Sequence, residues 1–183
     1  MRVIAGSARS LPLKTVEGLD TRPTTDRIKE TLFNMINNEL PGCRFLDLFS
    51  GSGAIGIEAL SRGAKISYFV DNSRKAAACI NANLKFTHLE EKAVVLQTDM
   101  RSAISRLRSQ EPFDIVFMDP PYLKNLEKEA LELLEGAPCI NEDTLIIVEV
   151  SLKTDLSWLD DSAYEVVKTK RYKTNAHLFL RKR

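Results

Sequence analysis

Two patterns of apolar and polar positions alternate along the chain: continuous apolar runs, which predict strands, and apolar residues at helical spacing, which predict helices. Continuous apolar runs, which are typical of strands buried on both faces of a sheet, recur through the sequence. The strands predicted in this way are 45–49, 65–70, 93–97, 113–118 and 144–150. Apolar residues at helical spacing lie between them, and an early example is Ile28, Leu32, Phe33, Met35 and Ile36. The helices predicted from this spacing include 54–60, 73–84 and 126–134, with a short one over 154–160.

The two ends of the chain have a different pattern. Residues 164–172 and 176–181 alternate apolar and polar positions, and Lys173-Thr174-Asn175 between them predicts a β-hairpin. Residues 1–20 predict a small hairpin or extended arm, followed by one domain over 21–183. Alternating strands and helices imply a doubly wound, mostly parallel α/β sheet. We expect seven strands, with the terminal hairpin adding an antiparallel edge.

Size and composition are those of an ordinary globular domain. The chain has 183 residues, of which 44% are hydrophobic and 28% charged. No apolar run approaches the roughly 20 residues of a membrane span, and the amino terminus has no continuous apolar segment of a secretory signal. Three widely spaced cysteines, Cys43, Cys79 and Cys139, argue against a disulfide framework or a zinc ribbon. We therefore expect a monomeric cytoplasmic protein that needs no membrane and no metal.

Charge is distributed unevenly although the net charge is only +1. Residues 168–183 hold seven of the 26 Lys and Arg residues and no acid. Such a basic segment suggests a polyanion partner, and a solvated charged strand pair is the alternative. The residues that could meet phosphates there are Lys170, Arg171 and Lys173, with Arg2 and Arg9 in the arm as further candidates.

The first strand runs directly into a glycine-rich turn. Gly51, Gly53 and Gly56 have the Gly-x-Gly-x-x-Gly spacing between a strand and a helix, the context in which it indicates nucleotide binding. The first two let a ligand approach the backbone closely, and the third lets helix and strand pack. Asp47 is an acid in an otherwise apolar strand, where an unpartnered carboxylate is costly. An NAD fingerprint does not need it, whereas enzymes that use S-adenosylmethionine (AdoMet) often show this Asp-x-Phe-x-Gly-x-Gly pattern.

Further acids follow the next strands. Asp71 comes 20 residues after Gly51 and is placed to accept hydrogen bonds from ribose hydroxyls, with a helix N-cap as the alternative. Asp99 follows the third strand and could accept from an adenine amino group, or cap a helix. The carboxyl ends of parallel strands share one edge of the sheet, so Asp47, Asp71, Asp99 and Asp119 should line it. No Gly-Lys-Ser/Thr follows the glycine turn, which argues against a P-loop NTPase.

The fourth strand leads into Asp119-Pro120-Pro121-Tyr122. Two prolines fix the backbone and remove N–H donors, so the Asp119 carboxylate and the Pro120 carbonyl can both face a substrate amine as acceptors. Holding both amine hydrogens would aim the nitrogen lone pair at a methyl group. Tyr122 offers a ring on which a flipped base could stack. The alternative is a rigid turn without chemistry. His88 and His177 are lone histidines, which we interpret as structural or surface residues.

Together the motifs resemble the bacterial small-subunit ribosomal RNA guanine-N2 methyltransferase family (RsmD-like), within the Rossmann-like class I AdoMet methyltransferases. The resemblance rests on Thr21-Arg-Pro-Thr-Thr-Asp-Arg27, Asp47-Leu-Phe-Ser-Gly-Ser-Gly53 and Asp119-Pro-Pro-Tyr122, in this order over nearly the whole chain. The Thr-Arg-Pro-Thr sequence at the start of the first of these motifs narrows the resemblance to this family. One departure is Asp71-Asn72, where the family usually has Glu followed by a charged residue.

The resemblance implies AdoMet as cofactor and a guanine of 16S rRNA, in an assembled or partly assembled small subunit, as substrate. It implies that the target amine is held by Asp119, Pro120, Pro121 and Tyr122. It implies that the cofactor is held by Asp47, Phe49, Ser50, Gly51, Gly53, Asp71, Asn72, Asp99 and Met100. It also implies that the segment with Arg22, Thr24 and Arg27 closes over the methionine end or the target base.

Three other functions are compatible with parts of this pattern. An adenine-N6 methyltransferase acting on DNA or RNA would use the same motif, because both bases carry a ring-conjugated amine. A protein glutamine methylase usually has Asn where Asp119 stands. A non-catalytic RNA-binding assembly factor could retain the fold, although the intact motifs argue against it.

Overall fold

The centre of the fold is one seven-stranded sheet with the order β3-β2-β1-β4-β5-β7-β6. The computed structural model describes residues 1–16, 25–122 and 124–183. Strands β1 to β5 are parallel, and β7 is antiparallel to both of its neighbours. The strands are β1 (Arg44–Asp47), β2 (Ile66–Asp71), β3 (Ala93–Gln97), β4 (Ile115–Met118), β5 (Leu145–Ser151), β6 (Tyr164–Arg171) and β7 (Asn175–Lys182). The predicted doubly wound sheet with an antiparallel hairpin is confirmed.

Five helices accompany the strands in the described part of the chain. They are α1 (Asp26–Met35), α2 (Ala54–Ser61), α3 (Arg74–Thr87), α4 (Met100–Leu107) and α5 (Leu126–Glu135). Side-chain caps begin three of them, because Thr25, Ser73 and Asp99 accept backbone N–H groups of the first turn. The short helix predicted over 154–160 is a single 3₁₀ turn, Ser157–Leu159. None of the described helices is long and apolar enough to cross a membrane.

Apolar side chains pack on both faces of the sheet. Neighbouring residues of β1 point to opposite faces, so Phe45 joins the core beneath α1 and α2 and Leu46 joins the core beneath α4 and α5. This two-sided burial explains the continuous apolar runs of the strands. The first strand ends at Asp47, two residues earlier than predicted. Ser50 turns the chain there, because its hydroxyl donates to the Asp47 carbonyl and accepts from the Val70 N–H.

The amino-terminal segment, predicted as a small hairpin or extended arm, folds back on itself and packs against the core beneath α1 and α2. Arg2 and Pro12 form an antiparallel bridge, and Val3 and Leu13 are buried. The far end of the arm binds Ser61, the last residue of α2, through backbone and side-chain hydrogen bonds. The predicted boundary at residue 20 lies outside the described residues and stays a prediction.

A buried carboxylate ties the arm to two helices. Glu58 of α2 is fully buried, and its oxygens accept the N–H groups of Ile4 and Ala5 at 2.8 and 3.0 Å. The Lys29 ammonium of α1 lies 3.2 Å from Glu58, and Arg62 donates to it at 2.8 Å. Burial lowers the Lys29 pKa, although the Glu58 charge opposes this. Glu58 therefore links the arm, α1 and α2 through polar contacts inside the core.

Candidate active site

Acidic side chains lie at the carboxyl ends of three adjacent strands. Asp47 is the last residue of β1, Asp71 the last of β2, and Asp119 follows the last residue of β4. Because β1 pairs with both β2 and β4, these acids share one edge of the sheet as predicted. This is the edge at which ligands bind in open α/β sheets.

The glycine turn has the backbone geometry that its residues suggest. Gly51 and Gly53 have φ values of +53° and +79°, in the left-handed region that favours glycine. A Cβ built on Gly51 would meet no atom within 4 Å, so the space above it is open. A Cβ on Gly56 would lie 2.4 Å from the Phe69 ring and 2.7 Å from the Ser67 hydroxyl. Gly56 therefore permits the close contact between α2 and β2.

The Asp47 carboxyl is buried beside this turn, and its residue is only 1% exposed. One oxygen accepts the Gly56 N–H at 3.3 Å, and the other, Oδ1, has no partner among the described residues. Burial raises the Asp47 pKa to about 7, with Asp71 adding to the rise and the Gly56 N–H opposing it. An orphaned buried carboxylate oxygen is a costly group, which favours a ligand-binding role.

Asp71 holds the glycine turn against the start of α3. One carboxylate oxygen accepts the Gly51 N–H at 2.9 Å and the other accepts the Ser73 N–H at 2.8 Å. The cap of α3 is Ser73, whose hydroxyl accepts from Ala76, so the alternative of Asp71 as that cap is wrong. Asp71 stays partly exposed at the sheet edge.

Asp99 caps α4, which was its alternative interpretation. Its two oxygens accept the Ser102 N–H at 3.0 Å and the Ser102 hydroxyl at 2.8 Å. These bonds lower the Asp99 pKa. Its contact with adenine stays a prediction, as do the ligand roles of Phe49, Asn72 and Met100. Phe49 is partly buried, Asn72 exposed and Met100 buried in the core.

The Asp-Pro-Pro-Tyr motif leaves β4 next to the acids of β1 and β5. Met118 pairs with Val148, so the following residues Asp119 and Glu149 lie side by side. Burial raises the Asp119 pKa well above its ordinary value, and the charges of Glu149 and Asp47 raise it further. Pro120 is buried, whereas Tyr122 is 46% exposed.

A buried polar cluster that the sequence did not predict lies beside this motif. Its members are Glu149 on β5 and Asn175 and His177 on β7. Glu149 accepts the Tyr122 hydroxyl at 3.0 Å and pairs with the His177 Nε2 at 3.0 Å. His177 is fully buried, which agrees with the structural one of its two predicted alternatives. The sequence did contain one signal for this cluster, because Glu149 is an acid in an otherwise apolar strand, as Asp47 is.

The residues proposed to meet RNA lie in different places. Arg22 and Thr24 are outside the described residues, and Arg27 is exposed on α1. Arg2 pairs with Asp26 on the surface, and Arg9 lies beside the arm residues that contact the far end of α2. The basic hairpin is nearer to the site: Asn175 pairs with Ser151 at the carboxyl end of β5, so the turn that includes Lys173 lies at the active-site edge. Lys170 and Arg171 are exposed on β6.

The described ranges contain no group of three His, Cys, Asp or Glu residues that could hold a metal ion.

Comparison with known proteins identifies the family. The sequence model of the family described as "Conserved hypothetical protein 95" matches residues 1–181. The chain is 43% identical to YlbH of Bacillus subtilis over 157 residues, 85% of each protein. It is 39% identical to ribosomal RNA small subunit methyltransferase D of Haemophilus influenzae over 152 residues, covering 81% of this chain and 78% of that protein. The solved structure of Escherichia coli yhhF matches all of this chain and 97% of its own, with a TM-score of 0.84 and 31% identity. The chain belongs to the family of ribosomal RNA small subunit methyltransferase D, as the sequence motifs indicated.

Proposed function

We propose that the protein transfers a methyl group from AdoMet to the exocyclic N2 amine of a guanine in 16S rRNA, in the small subunit or an assembly intermediate. The observation that carries the proposal is the Asp119 carboxyl, which is partly buried at the end of β4 beside Asp47 and is followed by two prolines and a half-exposed tyrosine. Family membership supports the ribosomal RNA substrate.

The glycine turn and its acids fit the cofactor. The open space above Gly51 leaves room for a ligand to approach the backbone, and the orphaned Asp47 oxygen offers an acceptor. Asp71 has lone pairs left after binding two N–H groups, so it can also accept ribose hydroxyls. AdoMet supplies an electrophilic methyl group on a sulfonium, and an edge of carboxylates complements that positive charge.

Asp119 and Pro120 would act on the target amine. The lone pair of a guanine N2 amine is delocalised into the ring, which makes the nitrogen a weak nucleophile. When a carboxyl oxygen of Asp119 and the Pro120 carbonyl accept the two amine hydrogens, the nitrogen can pyramidalise and direct its lone pair at the methyl group. Positioning and electrostatics then supply most of the rate, and no covalent protein nucleophile is required.

Tyr122 would hold the base in place. Tyr122 is 46% exposed and its hydroxyl donates to Glu149, so one end of the side chain is fixed while much of the residue stays accessible. Stacking on an aromatic side chain contributes about 1–3 kcal/mol per base, and a flipped target base needs such a contact.

The basic hairpin supplies a surface for the RNA backbone. Lys168, Lys170 and Arg171 are exposed on the edge strand β6, and Lys173 lies in the turn beside the end of β5. We expect charge reversal at Lys170, Arg171 and Lys173 to weaken RNA binding and to flatten its salt dependence. The measurement is the slope of affinity against salt concentration. The control is Lys92→Glu in the 3₁₀ turn Glu90–Lys92, an exposed residue at the β3 end of the sheet whose reversal changes the total charge in the same direction. An unaltered slope would assign the hairpin to solvated surface.

Methyl transfer from labelled AdoMet to small ribosomal subunits, with nucleoside analysis, tests the proposal. We expect N2-methylguanosine from the wild type and a loss of transfer in Asp119→Asn, which retains the shape of the side chain. The exposed Asp160→Asn serves as the matched control. N6-methyladenosine would keep the chemistry at Asp119 and refute the guanine substrate. Absence of transfer with AdoMet still bound would favour the assembly-factor function.

A further inference from the structure

A buried carboxylate with three neutral or basic partners lies directly behind the Asp-Pro-Pro-Tyr motif. Glu149 is 5% exposed, Asn175 6% and His177 fully buried. Both Asn175 Nδ2 and the Tyr122 hydroxyl donate to Oε1 of Glu149, and His177 Nε2 pairs with Oε2 at 3.0 Å. The chain of contacts continues to Tyr172, whose hydroxyl is 3.3 Å from His177 Nδ1.

The fold itself does not require this arrangement. Glu149 and His177 occupy directly paired positions of β5 and β7, where the neighbouring pair Val148 and Leu178 is apolar. Replacing a buried ion pair by apolar residues of similar volume is often neutral or stabilising. A polar cluster retained in such a place therefore points to a task beyond holding the sheet together.

The partner that reaches into the cluster from outside is Tyr122. Two prolines fix the backbone before it, but they leave the two side-chain torsions of the tyrosine free. The residue is 46% exposed, so packing alone holds its side chain weakly. The hydrogen bond to Glu149 is the contact that anchors its hydroxyl.

The carboxylate is well suited to this anchoring. Burial raises the Glu149 pKa, but the hydrogen bonds and charge of His177, with those of Asn175 and Tyr122, outweigh that effect and lower it. Glu149 therefore stays ionised, and a hydrogen bond to an ionised group is the stronger kind.

We propose that Glu149 is a positioning residue of the methyltransferase site: held by His177 and Asn175, it fixes the Tyr122 hydroxyl and thereby sets the ring against which the target base stacks. The inference rests on the proposed function. It assigns the β5–β7 cluster to orientation of the substrate base, and it leaves cofactor binding to the glycine turn.

A double-mutant cycle in the full-length protein tests this assignment. Tyr122→Phe and Glu149→Leu each remove the hydrogen bond, and we expect each to lower kcat/KM for small subunits by about tenfold or more. The kcat/KM of the double variant should be no lower than that of the less active single variant, because both changes remove the same interaction. Glu149→Gln retains an acceptor oxygen and should recover most of the activity. AdoMet affinity, measured by calorimetry, should be unchanged throughout.

Three results would overturn the proposal. Losses that multiply in the double variant would mean that Glu149 acts apart from Tyr122. Full activity of Tyr122→Phe would refute the anchoring even if Glu149→Leu fails to fold. If the wild type transfers no methyl group, the proposed function fails, but NMR order parameters of the Tyr122 ring still test the positioning role of Glu149. We expect a rigid ring in the wild type and a mobile ring in Glu149→Leu. Equal order parameters in the two proteins would refute the positioning role.

Discussion

Replacing Asp47 by asparagine should stabilise the cofactor-free protein by an amount that grows with pH. Burial raises the Asp47 pKa from 3.8 to about 7 in the folded protein. An acid whose pKa is raised by folding favours the folded state below its unfolded pKa and loses that contribution as the pH rises through its folded pKa. The full difference amounts to about 4 kcal/mol, since each pKa unit is worth about 1.4 kcal/mol. Asparagine can still accept the Gly56 N–H, and it carries no charge to be buried.

Chemical denaturation of both proteins, at intervals between about pH 5 and about pH 8, measures the effect. The free energy of unfolding of Asp47→Asn relative to wild type should increase by about 2–3 kcal/mol across this range and level off above about pH 7. The same change at the exposed Asp161 corrects for the loss of one negative charge. A difference that stays constant with pH would refute the reasoning, and so would one that falls. Calorimetry should show that the stabilised variant has lost AdoMet affinity, as expected if the orphaned oxygen serves the ligand.

Three further changes probe the glycine turn, the buried contacts of Glu58, and Asp71. Gly56→Ala should destabilise the protein by about 1–3 kcal/mol, because its Cβ would overlap the Phe69 ring, and thermal unfolding with unchanged stability would contradict the close packing. Glu58→Gln should cost about 3–5 kcal/mol by leaving the buried Lys29 ammonium without its ionic partner. The double variant with Lys29→Met should lose less than the sum of the single changes, and additive losses in denaturation would show that the pair is uncoupled. Asp71→Ala should weaken AdoMet binding by about 1–3 kcal/mol, and an unchanged calorimetric affinity would refute its ribose role.

Features that depend on short stretches of chain were predictable from the sequence. Four of the five parallel strands are buried on both faces and the edge strand β3 is partly buried, so each gives a largely continuous apolar run. The glycine turn was predictable because positive φ angles and close packing impose glycine locally at Gly51 and Gly56. The Asp-Pro-Pro-Tyr exit was predictable because proline constrains its own backbone wherever it occurs.

The rest was decided by contacts between residues far apart in the chain. Glu58 is separated from its partner Lys29 by 29 positions, and nothing in its own helix distinguishes it from a surface acid until the arm covers it. Glu149 meets His177 only because β7 inserts antiparallel between β5 and β6, a pairing that the hairpin pattern does not specify. Periodicity and motif spacing describe which face a residue occupies, whereas a buried polar partner is chosen by the packing of whole elements. For this protein the sequence alone determined the strands of the sheet, the glycine turn and the Asp-Pro-Pro-Tyr motif, and the tertiary structure decided which buried charges support them.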